Sequence, residues 1–346
     1  MPSTSPHPHD LNTQPRSRWR RRLAWGTVLA VALIGATALV GPRNDWGPAV
    51  AASRDLPPDS ATQVEAWVQA QEAQWRDIKP NNAKGIVWAQ APGQRTEWAV
   101  VYVHGFSASR LETAPLTERV STALGANSYY ARLTGHGRQS PQAMAEASPQ
   151  DWMADVLEAA KIGQTLGKKV LMISCSTGGT LATWLGTTNM GKLVDAHAMI
   201  SPNFGPKDAR AEIINQPWGT VIAKWIQGPT RSWTPKTEAE ANAWTSSYPT
   251  EALFPMMALV QQVRESDLSS FKTPALILLS EQDKTVEPAQ TRAAFARLGS
   301  AQKQLNVIND STAVGQHVLA GAITAPESVA PMAEAIVGWV KTLPMH

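Results

Sequence analysis

Two stretches of this chain, Ala99-Val100-Val101-Tyr102-Val103 and Ala275-Leu276-Ile277-Leu278-Leu279, are apolar without a break. A strand with one face in water alternates apolar and polar side chains, so an unbroken run is covered on both faces, as in a parallel sheet between helices. Similar short runs recur at residues 85–90, 128–133, 169–174, 194–201 and 304–308, and the full strands around the first two read as 98–104 and 274–280. Amphipathic stretches at 116–124, 151–166, 177–186, 288–298 and 326–342 fall between them. The pattern predicts an α/β fold with a mostly parallel sheet flanked by helices. It breaks once, at about 202–267, where helical patches occur without a convincing strand. That segment holds Trp218, Trp225, Trp233, Trp244, Met256 and Met257 and reads as an inserted helical cap. A longer pair of connecting helices is the alternative.

The start of the chain is different in kind. Residues 1–22 carry five arginines (16, 18, 20, 21 and 22) against Asp10, and read as a disordered basic arm. Residues 23–41 contain no charge, and a helix of that length covers roughly 28 Å, about one hydrocarbon core. Arginines on its N-terminal side favour keeping that side cytoplasmic. The expectation is an inner-membrane anchor with the catalytic body on the periplasmic side. A cleaved signal segment and a secreted product form the alternative, for which the best A-x-A site, Ala49-Val50-Ala51, lies well beyond the apolar run. Residues 42–60 read as a linker, and 61–346 as the catalytic body.

The arm also accounts for the formal charge of +3, because residues 23–346 sum to about −1. A body without a basic face excludes nucleic acid as a partner. At 43% hydrophobic and 17% charged residues the chain is built for a sizeable core. The single cysteine, Cys175, excludes an intrachain disulfide framework and a multi-thiolate zinc site.

Chemistry enters at Ser174-Cys175-Ser176-Thr177-Gly178-Gly179, between a predicted strand and a predicted helix. That context suits a G-x-S-x-G nucleophile elbow, in which small flanking residues let strand and helix pass closely; Ser174 stands where the motif has its first glycine. His104-Gly105-Phe106 ends an earlier buried strand. The backbone N–H of Phe106, with that of Thr177, is placed to hold an oxyanion. Among the histidines, His7 and His9 precede the apolar segment, His346 ends the sequence and His197 lies in a buried strand. His317, on a loop after the last strand, is the best general base. For the acid, Ser280-Glu281-Gln282-Asp283 follows the strand at 274–280, with Asp283 preferred and Glu281 in reserve.

With these pieces the chain resembles the α/β-hydrolase superfamily, and more narrowly bacterial esterases and monoacylglycerol-lipase-like or serine-aminopeptidase-like hydrolases. The likeness spans about residues 97–342. It includes Leu133-Thr134-Gly135-His136-Gly137, Asp151-Trp152 and His317-Val318-Leu319 beside the elbow. The resemblance implies Ser176 as nucleophile, Asp283 as acid, His317 as base and Phe106 with Thr177 as oxyanion donors, and leaves His136 a structural turn residue. Such chemistry needs no cofactor and no metal. The cap's tryptophans and methionines suggest a small ester of moderate apolarity, and no cluster of cations suggests a phosphate. An aminopeptidase or acyltransferase would use the same residues. A membrane-tethered binding protein without catalysis is the reading from another class.

Overall fold

The structure, a computed structural model, describes residues 16–344, apart from some side chains of its first helix. The first fifteen residues, Met345 and His346 lie outside the described residues, and with them most of the arm. Residues 16–22, expected to be disordered, instead open helix α1 (Arg16–Leu39), consistent with the good helix propensity of arginine. Among the described residues no helix is long and apolar enough to cross a membrane. The segment expected at 23–41 therefore has no support as an anchor. Its helix begins in the charged arm, and several of its side chains fall outside the described residues.

All seven expected sheet strands form. After α2 (Val64–Glu72) come β1 (Gly85–Val87), β2 (Thr96–Val103), α3 (Leu116–Leu124), β3 (Asn127–Tyr130), α4 (Pro149–Leu166), β4 (Gly167–Cys175), α5 (Thr177–Thr187) and β5 (Ala196–Ile200). The segment that follows carries β6 (Thr230–Ser232) and β7 (Ser247–Pro249) among α6 (Gly219–Gln227), α7 (Glu238–Ala243) and α8 (Leu253–Glu265). The chain then rejoins the sheet through β8 (Ala275–Leu279), α9 (Pro288–Arg297), β9 (Lys303–Val307) and α10 (Val329–Thr342). The sheet order is β1-β3-β2-β4-β5-β8-β9, parallel except for β1.

The unbroken apolar runs do what their composition requires. Ala99, Val101 and Val103 pack with Ala275, Ile277 and Leu279 on one face, against Trp152 and Val156 of α4 and Leu181 of α5. Val100 and Tyr102 pack with Leu276 and Leu278 on the other, against Val120 of α3 and Ile336 of α10. Each such buried aliphatic side chain contributes about 1.5–3 kcal/mol relative to exposure.

Two more expectations need correction. The inserted segment is not strand-free: β6 and β7 pair antiparallel as a small second sheet. Residues 42–60 are no free linker, but an extended strap laid across the body. The Asn44 amide donates to Asn215 Oδ1 and Phe254 O, Trp184 Nε1 donates to Ala49 O, and Arg54 reaches both Asp151 and Asp155 of α4. These are single polar contacts to remote positions, which no periodicity announces.

Candidate active site

β4 runs through the middle of the sheet and stops at Cys175. The next residue, Ser176, has φ 52° and ψ −119°, and α5 begins immediately after it. A non-glycine residue at positive φ is strained. It is held here because its neighbours leave no other path. A Cβ on Gly178 would stand 2.2 Å from Val103 O and 2.7 Å from His104 O, so strand β2 and helix α5 touch through bare backbone. Ser174 fits in place of the motif's glycine, fully buried in β4.

The histidine and acid come from loops after the last two strands. His317 Nδ1 donates to Asp283 Oδ2 at 2.8 Å. The other carboxylate oxygen of Asp283 accepts from the backbone N–H of Thr285 at 2.7 Å and Val286 at 2.9 Å. With Nδ1 as donor, Nε2 of His317 is left as an acceptor. Glu281, the reserve, points elsewhere and pairs with Arg292. The two loops are tied together by Lys284 N–H to Gly315 O and by the Ser280 hydroxyl to Gln316 Oε1.

Ser176, His317, Phe106 and Thr177 line one cavity of about 730 Å³ under the inserted segment. Thr177 is the first residue of α5, so its N–H has no acceptor within the helix. Phe106 is fixed by edge-on contacts with His136, Trp152 and Tyr248, at centroid separations of 5.6, 6.1 and 5.5 Å. Beneath it, His104 Nδ1 donates to Gly105 O and Nε2 accepts from Leu133 N–H. Burial pushes this imidazole down to about 4, which keeps it neutral and its tautomer set. His136 is buried beside it and is likewise pushed down by burial. His197 lies wholly inside β5 against Phe271, with neither ring nitrogen hydrogen-bonded among the described residues. Burial takes it to about 3.

The order and spacing of these residues have a counterpart among known proteins: residues 94–312 match the family described as serine aminopeptidase, S33. The chain belongs to this S33 hydrolase family. The match takes in Phe106, Ser176, Thr177 and Asp283, and stops just short of His317. The S33 chain is also 24% identical over 220 residues to a thermostable monoacylglycerol lipase of Bacillus sp. (strain H-257), covering 61% of this chain and 81% of that protein. In fold it is similar to a structure from the work on LipS and LipT, two metagenome-derived lipolytic enzymes, with TM-score 0.62, 20% identity, and 77% and 100% of the two chains covered. It is also similar to a soluble variant of Saccharomyces cerevisiae monoglyceride lipase in complex with a substrate analog, with TM-score 0.59, 12% identity, and coverage of 76% and 92%.

Several features of this S33 site were not foreseen. Of the four tryptophans in the inserted segment only Trp233 and Trp244 line the cavity, with Met256 and Met257. Trp225 is 86% exposed on α6, and Trp218 caps the end of α1 by donating from Nε1 to Thr37 O. Cations are present after all: Arg231, Lys236 and Lys284 line the cavity beside Asp208 and Glu240. They come from β6, the turn after it and the loop after β8, so no run of charge marks them. Glu112 is the most unexpected lining residue. It sits 2% exposed at the floor, with Oε1 accepting from Gly105 N–H at 2.7 Å and Tyr102 OH at 2.9 Å.

Proposed function

We propose that the protein is a serine hydrolase that cleaves carboxylic esters of moderate apolarity through an acyl-enzyme on Ser176. The observation that carries this reading is the meeting, in one cavity, of a strained elbow serine with the His317–Asp283 pair. Nε2 of His317 takes the proton of Ser176 as Oγ attacks the ester carbonyl, and the N–H groups of Phe106 and Thr177 hold the oxyanion. Collapse breaks the acyl C–O bond, and the proton on His317 goes to the leaving alkoxide, which departs as an alcohol. Water, deprotonated by the same imidazole, then attacks the acyl-enzyme; the acid leaves and Ser176 regains its proton. Asp283 holds the tautomer and stabilises the imidazolium.

The substrate class is supported by the wall of Trp233, Trp244, Met256 and Met257 and by the likeness to a monoacylglycerol lipase. The family's description favours an aminopeptidase as the second reading. That activity needs a carboxylate free to hold a peptide N-terminus. Of the inserted segment's acids, Glu240 lines the cavity but accepts from Lys236 N–H, and Glu251 pairs with Lys224; Glu112, from outside that segment, lines the cavity with one oxygen unengaged. Assay of the full chain on a nitrophenyl butyrate, a monoglyceride and an aminoacyl nitroanilide separates the readings. We expect turnover of both esters, abolished by Ser176→Ala. Preference for the anilide selects the peptidase, and activity surviving in Ser176→Ala refutes the nucleophile.

A further inference from the structure

Glu112 is not used in the reaction above, yet it is a buried carboxyl on the cavity floor. Oε1 is engaged twice, by Gly105 N–H and Tyr102 OH. Oε2 makes no hydrogen bond among the described residues. A Cβ built on Gly105 would stand 3.3 Å from Glu112 Oε2 and 3.1 Å from Ser176 Cβ, so the two flank one atom's width of space. A buried carboxylate oxygen needs a donor, and this one faces a cavity that receives substrate.

Which part of the substrate it meets follows from His317. The imidazole returns its proton to the leaving alkoxide, so the alcohol half of an ester must lie beside it. Glu112 and His317 lie close enough for the imidazole's charge to favour the carboxylate. Both line the cavity, as do Val318 and Thr324 beside His317. We infer that Glu112 accepts a hydrogen bond through Oε2 from a hydroxyl of the leaving alcohol, selecting esters of polyols over esters of simple alkanols. The inference rests on the ester-hydrolase reading and deepens it.

Three groups face this carboxyl from the surrounding elements: the Tyr102 phenol on β2, the Cys175 thiol at the end of β4, and His317 on its loop. Burial pushes phenol and thiol well up, so both stay neutral at ordinary pH. Burial also pushes Glu112 itself up to about 7 against the pull of Gly105 N–H, Tyr102 and His317. The carboxyl is therefore neutral in mildly acidic solution and a stronger, charge-assisted acceptor above neutrality.

The test is a ratio: kcat/KM for the 2,3-dihydroxypropyl ester divided by kcat/KM for the propyl ester of the same acid, from pH 5.5 to 8.5. Any pH dependence of the acyl-transfer steps common to both esters cancels in the ratio. In the wild type the ratio should rise about tenfold through neutrality, the size of one hydrogen bond to a charged group. In Glu112→Gln it should be low and independent of pH, because the amide turns N–H donors toward the substrate. A flat ratio in the wild type overturns the inference, and that measurement needs no variant to fold. Equal losses for both esters in Glu112→Gln, with the ratio kept, make Glu112 only a support of the Gly105 loop. Failure to turn over either ester removes the hydrolase reading and this inference with it.

Discussion

Arg54 should matter more to stability than any other residue of the strap. Its guanidinium joins Asp155 at 2.6 Å and Asp151 at 2.7 Å, and Asp155 is almost wholly buried. Removing one partner of a fully buried pair costs about 3–5 kcal/mol, because a charge is left behind without its counterion. Two features reduce that here. The Arg54 side chain is 33% exposed, and Asp155 keeps hydrogen bonds from Thr134 N–H at 2.6 Å and its hydroxyl at 3.1 Å. We expect Arg54→Met, which retains the aliphatic stem, to cost about 2 kcal/mol at pH 7.5, a fall in Tm of about 4 °C. The pH dependence fixes the cause. Burial already raises Asp155 above its ordinary value, and loss of Arg54 raises it further. A carboxyl whose folded pKa is raised favours the folded state as pH falls, so the deficit should shrink at pH 5. Melting followed by circular dichroism at the two pH values checks this. A deficit that is absent at pH 7.5, or larger at pH 5, refutes the argument. A chain begun at residue 61 lacks Arg54 together with the contacts of Asn44, Gly47 and Ala49, and should show a larger deficit.

Two further outcomes are expected. Asp283→Asn should lower kcat roughly 10³–10⁴-fold by releasing the His317 tautomer, while Glu281→Gln, which loses only an exposed pair with Arg292, should change it less than about twofold; the reverse ranking would move the acid to Glu281. His197 is buried and neutral with a pKa near 3, so the unfolded chain takes up a proton below about 6.5 that the folded one refuses, and stability falls with pH. Between pH 6.5 and 5, His197→Met should lose about 2 kcal/mol less than the wild type in urea unfolding, and parallel losses would contradict the assignment.

What was legible in the residue order follows from the physics of each element. Strands such as β2 and β8 are buried on both faces, and their side chains divide between two cores, so their composition alone declares them. The elbow was legible because Gly178 meets backbone, a local constraint written in local residue types. β6 escaped notice because its three residues, Thr230–Ser232, are exposed and held only by pairing with β7. Trp225 was misassigned because an aromatic ring in a helical segment does not state which face is covered. Nothing in the residue order marks Glu112, whose partners Tyr102 and Gly105 belong to β2 and the turn after it. Arg231 and Lys236 join Lys284 only once the fold brings β6 and the loop after β8 to one cavity.

The strap has a bearing on the order in which the molecule is completed during synthesis. Asn44 waits for Asn215 and Phe254, 171 and 210 residues later, and Gly47 O accepts from Gln262, 215 residues later. At about 5–20 residues per second, roughly 10–40 s pass between the making of the strap and of the surface that receives it. The first part of the body to leave the ribosome is thus among the last to dock. The strap therefore docks in two stages: Arg54 can pair with Asp155 and Asp151 of α4 once about 100 further residues are made, while Asn44 and Gly47 stay undocked until the inserted segment has folded.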